Sequence, residues 1–166
     1  NFMPPPEVVT TATAKNDSWE SFLTAVGSLE AVQGVLVTAE LKGKVVHIAF
    51  EPGTRVKAGD LLVQQDTSVE SAQLRAAEAA ITLAKINFER TKKLVANKTV
   101  SQSDFDNADA QFKEAAAQVD NIRAVIAKKT IRAPFSGRLG IRQVNLGQTL
   151  NEGDEIVSLQ SLDPIY

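Results

Sequence analysis

The sequence contains no cysteine and only one histidine, His47, among its 166 residues. The lack of cysteine excludes disulfide bonds, thiolate metal sites and thiol nucleophiles. A single histidine leaves no partner for a histidine-based metal site or a conventional catalytic triad. We therefore expect neither an enzyme active site nor a metal centre in this chain.

Strong charge of one sign and long apolar runs are also missing. The formal net charge is -2 with acidic and basic residues interspersed, which argues against the basic surface that nucleic-acid binding requires. No run of about 18 apolar residues is present, so the sequence predicts no membrane-spanning helix. Aromatic residues make up only 5%, and the alanine-rich middle of the chain favours slender helices over a thick globular core.

Glycine and proline are absent between Asp66 and Ala133, where strong helix formers dominate. Apolar residues recur there in alternating steps of three and four, the heptad period of a coiled coil. The first set is Leu74, Ala77, Ile81, Ala84, Phe88, Thr91 and Val95, and the second is Phe105, Ala108, Phe112, Ala115, Val119, Ile122 and Ile126. The interruption NKTVS and a helix-start signal from Ser101 to Asp104 divide the stretch in two. We therefore predict an antiparallel hairpin with arms about 45 Å long.

Two glycine-patterned segments flank the helical stretch: GKVVHIAFEPGTRVKAGDLLV, residues 43–63, and GRLGIRQVNLGQTLNEGDEIV, residues 137–157. The predicted turn positions are Gly43, Gly53, Gly59 and Asp60 in the first copy, and Gly137, Gly147, Gly153 and Asp154 in the second. Glycine permits the positive φ angles of tight turns, and aspartate bonds its own backbone there. Apolar residues also match, as at Leu62 and Ile156. Because each copy is too small to bury its apolar face alone, we expect the two to pack as a β-sandwich.

The two ends of the chain have a different character. Residues 8–48 have the composition of strands, in the stretches VVTTATA, SFLTAVGSL, GVLVTAEL and GKVVHIAF. The triple proline of residues 4–6 favours a stiff, extended tether. The opening NFMPPPEVV has no feature of a signal peptide, and the strand-like ending LDPIY leads us to expect that the chain is part of a longer protein.

The spacing of three glycines and an aspartate, in VKAGDLLVQQD and LNEGDEIVSL, resembles the two halves of a lipoyl or biotinyl domain. In carrier proteins of that kind, a tight turn between the halves bears the lysine that takes the cofactor. Here residues 68–130 stand in place of that turn. Lys98 lies at the predicted hairpin tip in the different context ANKTV, so we expect no bound cofactor.

A lipoyl-like domain split by a helical hairpin resembles the periplasmic adaptor subunits, or membrane fusion proteins, of tripartite efflux pumps. APFSGRLG and the run to SLDPIY resemble the adaptors of resistance-nodulation-division (RND) pumps. The resemblance implies an α+β fold in four segments. These are an N-terminal tether with partial β-barrel strands (1–33), the first lipoyl-like half (34–67), the helical hairpin (68–130), and the second half with the start of the next strand (131–166).

The same resemblance implies partners and a location. The chain would link an inner-membrane RND-type transporter to a TolC-like outer-membrane channel, as a ring of self-associated copies that numbers six in the family. It would lie in the periplasm and would contact the membrane only through an anchor that this sequence does not contain. The alternatives are an adaptor of an ATP-driven exporter, a lipoyl or biotinyl carrier, and a generic coiled-coil interaction module.

Family adaptors that dock TolC-like channels carry Arg-x3-Leu-x6-Ser at the hairpin end, and the matching residues here are Arg90, Leu94 and Ser101. Arg90 and Leu94 are four residues apart and share a helix face. The residues themselves also allow a purely structural interpretation. In that case Ser101 is the N-cap of the second helix, Leu94 covers the end of the seam and Arg90 is a solvated charge.

Overall fold

A computed structural model describes residues 5, 7, 8, 10–24 and 31–165, in which the chain forms two four-stranded antiparallel sheets and two long helices. The strands are β1 (Ala31–Thr38), β2 (Gly43–Ile48), β3 (Arg55–Val56), β4 (Leu61–Gln65), β5 (Thr130–Arg132), β6 (Gly137–Arg142), β7 (Thr149–Leu150) and β8 (Glu155–Ile165). The helices are α1 (Ser68–Ala96) and α2 (Gln102–Lys128). The predicted α+β fold, a lipoyl-like sandwich split by a helical hairpin, is confirmed.

The strands of the two sequence copies interleave in the sandwich. One sheet has the order β1-β8-β6-β3 and the other has the order β5-β4-β2-β7. Exchanging β1 with β5, β2 with β6, β3 with β7 and β4 with β8 converts one order into the other. The topology therefore has internal twofold symmetry, and each sheet is completed only by strands from both copies.

The core lies between the two sheets and is built from the apolar positions that the copies share. The largest fully buried apolar side chains of the described residues are Leu62, Leu139, Leu150, Ile156, Leu159, Val45, Val63, Val144 and Val157. Phe50 and Val56 pack against this cluster and are partly buried. Burying one such side chain stabilises the fold by about 1.5–3 kcal/mol, so this cluster contributes strongly to the stability of the sandwich.

The helical hairpin leaves the sandwich after β4 and returns to it at β5. The predicted seam is confirmed, because each of its fourteen residues is buried or half-buried in the hairpin. Phe88 lies at its centre, with its ring 5.6 Å from the rings of both Phe105 and Phe112. Within the described ranges, neither this hairpin nor any other helix has the length and apolar character needed to cross a bilayer.

Two ion pairs connect the two arms of the hairpin and set the axial register of one helix relative to the other. Arg123 and Glu78 lie 2.9 Å apart at the surface, and the Lys129 ammonium lies 2.5 Å from the Glu70 carboxylate at the largely buried root of the hairpin. The hydrogen bond from Lys129 lowers the pKa of the Glu70 carboxyl. Lys129, which directly follows α2, is thereby bound to Glu70 in the first turn of α1.

Residues 10–24 do not form the strands that the sequence predicted. They form neither helix nor strand, and Trp19, Phe22 and Leu23 are exposed. The prediction of strands in this stretch is therefore wrong for the described residues, because a strand needs a hydrogen-bonded neighbour and neither sheet pairs with these residues. β1, which begins at Ala31, is the strand that the structure shows in the N-terminal segment, and residues 25–30 lie outside the described residues.

Candidate docking site at the hairpin tip

Residues 97–100 reverse the chain between the two helices with a defined backbone geometry. The N–H of Lys98 donates to the carbonyl of Val95 and the N–H of Thr99 donates to the carbonyl of Leu94, both at 2.9 Å. This pair of bonds is a Schellman motif, in which the left-handed residue is usually glycine. Lys98 occupies that position with φ 55°, at a cost of about 1–2 kcal/mol. The tip is therefore a turn with a defined backbone conformation.

Ser101 begins α2 as its N-cap. Its Oγ accepts a hydrogen bond from the N–H of Asp104 at 3.2 Å, while Oδ2 of Asp104 accepts from the N–H of Ser101 at 3.1 Å and from its Oγ at 2.7 Å. These bonds form a capping box, and they lower the pKa of the Asp104 carboxyl, with the Ser101 hydroxyl as the main cause. The hydroxyl donates within the box, so it can still accept one bond from a partner.

Arg90 and Leu94 lie on the last two turns of α1. Arg90 is exposed, and among the ion pairs of the described ranges none involves it. Leu94 is half-buried beside the seam residue Val95. The three predicted docking residues thus lie at one end of the hairpin, although within the described residues no side-chain hydrogen bond joins them to each other. A free guanidinium and a half-exposed apolar side chain are groups that can bind another protein surface.

Charge is segregated between the two helices near the tip, which the overall net charge conceals. From Lys85 to Lys93, α1 has four basic residues and one acidic residue. From Gln102 to Glu114, α2 has four acidic residues and one basic residue. Sorting the charges by predicted helix would have revealed this difference from the sequence. The distal half of the hairpin therefore presents a basic edge and an acidic edge.

The repeated glycines divide into two groups with different roles. Gly53, Gly59, Gly147 and Gly153 have φ between 77° and 87° and stand in turns. In those turns, Oδ2 of Asp60 accepts from the N–H of Lys57 and Oδ2 of Asp154 accepts from the N–H of Asn151, at 2.8 and 2.7 Å.

Gly43 and Gly137 differ from the predicted turn positions because they begin strands β2 and β6. A Cβ at Gly137 would lie 2.4 Å from the carbonyl oxygen of Gln160, and a Cβ at Gly43 would lie 2.9 Å from Oε1 of Gln65. Neither glycine has a positive φ. Their role is instead to leave room for the neighbouring Gln160 and Gln65.

Among the described residues, no group of three or more histidine and carboxylate side chains could hold a metal ion.

Replacing Ser101 by alanine removes the capping box, and we expect a loss of about 0.5–2 kcal/mol in the free energy of unfolding.

The lowered pKa of Asp104 gives the capping interaction a pH dependence. The folded carboxyl releases its proton more readily than the unfolded one, so the stabilisation is present above the ordinary value of 3.8 and is lost as pH falls through the lowered pKa. Urea unfolding at pH 7 and at acid pH measures both effects. Equal losses for Ser101→Ala and Ser103→Ala would contradict the cap.

Comparison with known proteins identifies the family to which this chain belongs. Residues 33–160 match the family described as RND MFP, barrel-sandwich hybrid domain. The multidrug resistance protein MdtA of Proteus mirabilis is 32% identical over 178 residues, covering 98% of this chain and 43% of that protein. MdtA of Klebsiella pneumoniae is 31% identical, covering 95% of this chain and 42% of that protein.

Solved structures give the same result. A MacA–MexA chimera that contains the Pseudomonas aeruginosa MexA α-hairpin domain is 28% identical with a TM-score of 0.77, covering 81% of this chain and 50% of that one. The fold is thus that of a membrane fusion protein. This chain belongs to the RND membrane fusion protein family, and it spans less than half the length of the curated relatives it matches.

Proposed function

We propose that this chain is the central part of a periplasmic adaptor that joins an inner-membrane RND-type transporter to a TolC-like outer-membrane channel in a tripartite export pump. The full-length protein is anchored to the inner membrane and assembles as a ring, of six copies in the family. The observation that carries the proposal is the helical hairpin, which places a charged, partly apolar tip about 45 Å from the sandwich. Its role is connective, and we expect no catalytic activity.

The tip chemistry supports docking to a protein partner. Arg90 has a free guanidinium that can form two parallel bonds to a carboxylate or to carbonyl oxygens. Leu94 adds apolar area one turn closer to the end, and the Ser101 oxygen can accept a further bond. The Schellman turn and the capping box hold these groups on a rigid frame, which lowers the entropy lost on binding.

Separate replacement of Arg90 and Leu94 by alanine in the full-length protein is expected to reduce drug tolerance and crosslinking to the channel by about tenfold each, because each removes about 1.4 kcal/mol of docking energy. Both can be measured in cells that carry the cognate pump. Arg75→Ala is the matched control, because Arg75 is an exposed arginine on the same helix near its root, and it should leave both measurements unchanged.

Ser101 requires a variant that separates docking from capping. Asparagine is also a good N-cap, and its amide can donate to the Asp104 carboxylate as the Ser101 hydroxyl does. Ser101→Asn therefore keeps the start of α2 capped and changes the surface offered to the channel. Loss of crosslinking in Ser101→Asn with unchanged stability supports docking through Ser101. If the Arg90 and Leu94 variants both retain full efflux and full crosslinking, the docking proposal is wrong.

Two observations favour this function over the alternatives. The family match is to the RND type, and the MdtA relatives are named multidrug resistance proteins, which supports a proton-driven pump over an ATP-driven exporter. A carrier would need its lysine in a tight turn on the sandwich, whereas Lys98 lies beyond a helix of 29 residues. Incubation with lipoate ligase or biotin ligase followed by mass spectrometry tests the carrier function, for which we expect no adduct.

A further inference from the structure

Lys98 occupies a backbone position that favours glycine. Among the described residues it is the one non-glycine residue with a positive φ, at 55°. A side chain in this left-handed conformation crowds the carbonyl oxygen that follows it, so glycine or asparagine can form the same turn with less strain. Strained positions of this kind are found mainly where function requires the side chain. The lysine therefore needs an explanation other than the stability of the turn.

The hairpin gives the Lys98 ammonium no partner of its own. Lys98 is exposed, and within the described ranges no ion pair or side-chain hydrogen bond includes it. The carboxylates in the first turns of α2 are already engaged. Asp104 accepts the bonds of the capping box, and Oδ1 of Asp106 accepts from Nε2 of Gln102 at 2.9 Å. The charge of Lys98 is thus available to another molecule.

The helix dipoles do not explain the lysine either. The C-terminal end of a helix favours a cation, whereas the N-terminal end disfavours one. Lys98 lies between the end of α1 at Ala96 and the start of α2 at Gln102. Because the two effects oppose each other at this position, the fold gains little from a positive charge in the turn.

The whole tip has charge of one sign. Residues 90–101 include four basic residues and no acidic residue. Lys92 lies over the ring of Phe88, with Nζ 5.7 Å from the ring centroid, whereas Lys98 stands beyond the end of α1 in the turn itself. Neighbouring cations repel each other, and a partner that brings carboxylates to them relieves this repulsion. The tip is therefore complementary to an acidic surface.

We propose that Lys98 is a further docking residue, whose ammonium forms an ion pair with a carboxylate at the end of the outer-membrane channel. The proposal rests on the docking function proposed above and adds the chemistry of the partner surface. Charge complementarity of this kind speeds association and discriminates between partners. Lys98 thus makes the hairpin selective for channels that carry carboxylates where the turn makes contact.

Variants of the full-length protein test this role by their affinity for the purified cognate channel. Lys98→Gly and Lys98→Asn remove the charge and suit the left-handed turn. We expect both to bind about fivefold more weakly at about 0.05 M salt, with a smaller difference at about 0.5 M, because salt screens an exposed ion pair. Lys98→Arg keeps the charge and should retain the affinity. Lys42→Asn is the matched control, since Lys42 is an exposed lysine on the sandwich, and it should bind normally.

Stability separates docking from a structural role. Lys98→Gly should raise the urea midpoint of unfolding, because the relief of strain exceeds the freedom that glycine adds to the unfolded chain. Affinity for the channel should nevertheless fall. Affinity that rises with stability, or an equal loss for Lys42→Asn, would contradict the proposal.

The tip variants distinguish this inference from the docking function on which it rests. If Arg90→Ala binds the channel weakly while Lys98→Gly and Lys98→Asn bind normally, Lys98 is not a docking residue and the docking function stands. If Arg90→Ala and Leu94→Ala also retain full affinity and full efflux, both proposals are overturned.

Discussion

Replacing Leu159 by alanine is expected to lower the free energy of unfolding by about 2–5 kcal/mol. Leu159 is 0% exposed and stands on β8 between two neighbours, opposite Val35 of β1 and Leu139 of β6. Truncation removes apolar contacts on both sides and leaves a cavity that the two sheets cannot close without moving together. Urea denaturation followed by circular dichroism measures the loss.

Leu83→Ala is the matched control for this prediction. The substitution deletes the same atoms from a side chain that is 61% exposed, and alanine favours helix slightly more than leucine does. We expect a change within about 0.5 kcal/mol. Losses of similar size for the two variants would show that the sandwich core does not dominate stability.

Replacing Gly137 by alanine is expected to cost about 3 kcal/mol, at the upper end of the usual range for overpacking. The added Cβ would lie 2.4 Å from the carbonyl oxygen of Gln160. That oxygen is part of the backbone of β8, which pairs with β6 next to this position, so relief requires the two strands to separate. Thermal and urea unfolding measure the loss.

The symmetry-related Gly43 provides the control. There the new Cβ would meet the side-chain Oε1 of Gln65 at 2.9 Å, together with carbons of the same side chain. This amide can turn aside, although its Nε2 would then give up its bond to the carbonyl of Leu41, now 3.0 Å long. We expect Gly43→Ala to cost less than Gly137→Ala. The opposite order would mean that the backbone contact at Gly137 relaxes easily.

The hairpin and the sandwich core could be predicted because each depends on a regular pattern. A heptad seam is set by the period of the helix, so Leu74 through Val95 identify it without reference to any other part of the chain. The core followed from the repeat, since the matched apolar positions of two copies can be buried only against each other. The N-cap role of Ser101 could also be predicted, because the capping box is a local sequence signal.

Other features could not be predicted because they depend on spatial neighbours. Gly43 and Gly137 have the same spacing as the turn glycines, and only the paired strands reveal that they make room for Gln65 and Gln160. The apolar character of residues 19–24 suggested a strand, but a strand forms only where a sheet offers an edge. The exposed apolar residues of α1, Val69, Leu83 and Ile86, were overlooked because one heptad pattern conceals another that runs along the same helix.

The interleaving of the strands has a consequence for folding. Every sheet contact between the copies joins residues far apart in sequence, such as Arg55 with Arg138 and Lys44 with Thr149, and such contacts form slowly because a long loop must close first. The two helices between the copies are each built from local contacts that form early. Once the arms of the hairpin pair, Gln64 and Thr130 are already neighbours. We therefore expect the helical hairpin to bring the two halves of the sandwich together and to shorten the conformational search by which their strands pair.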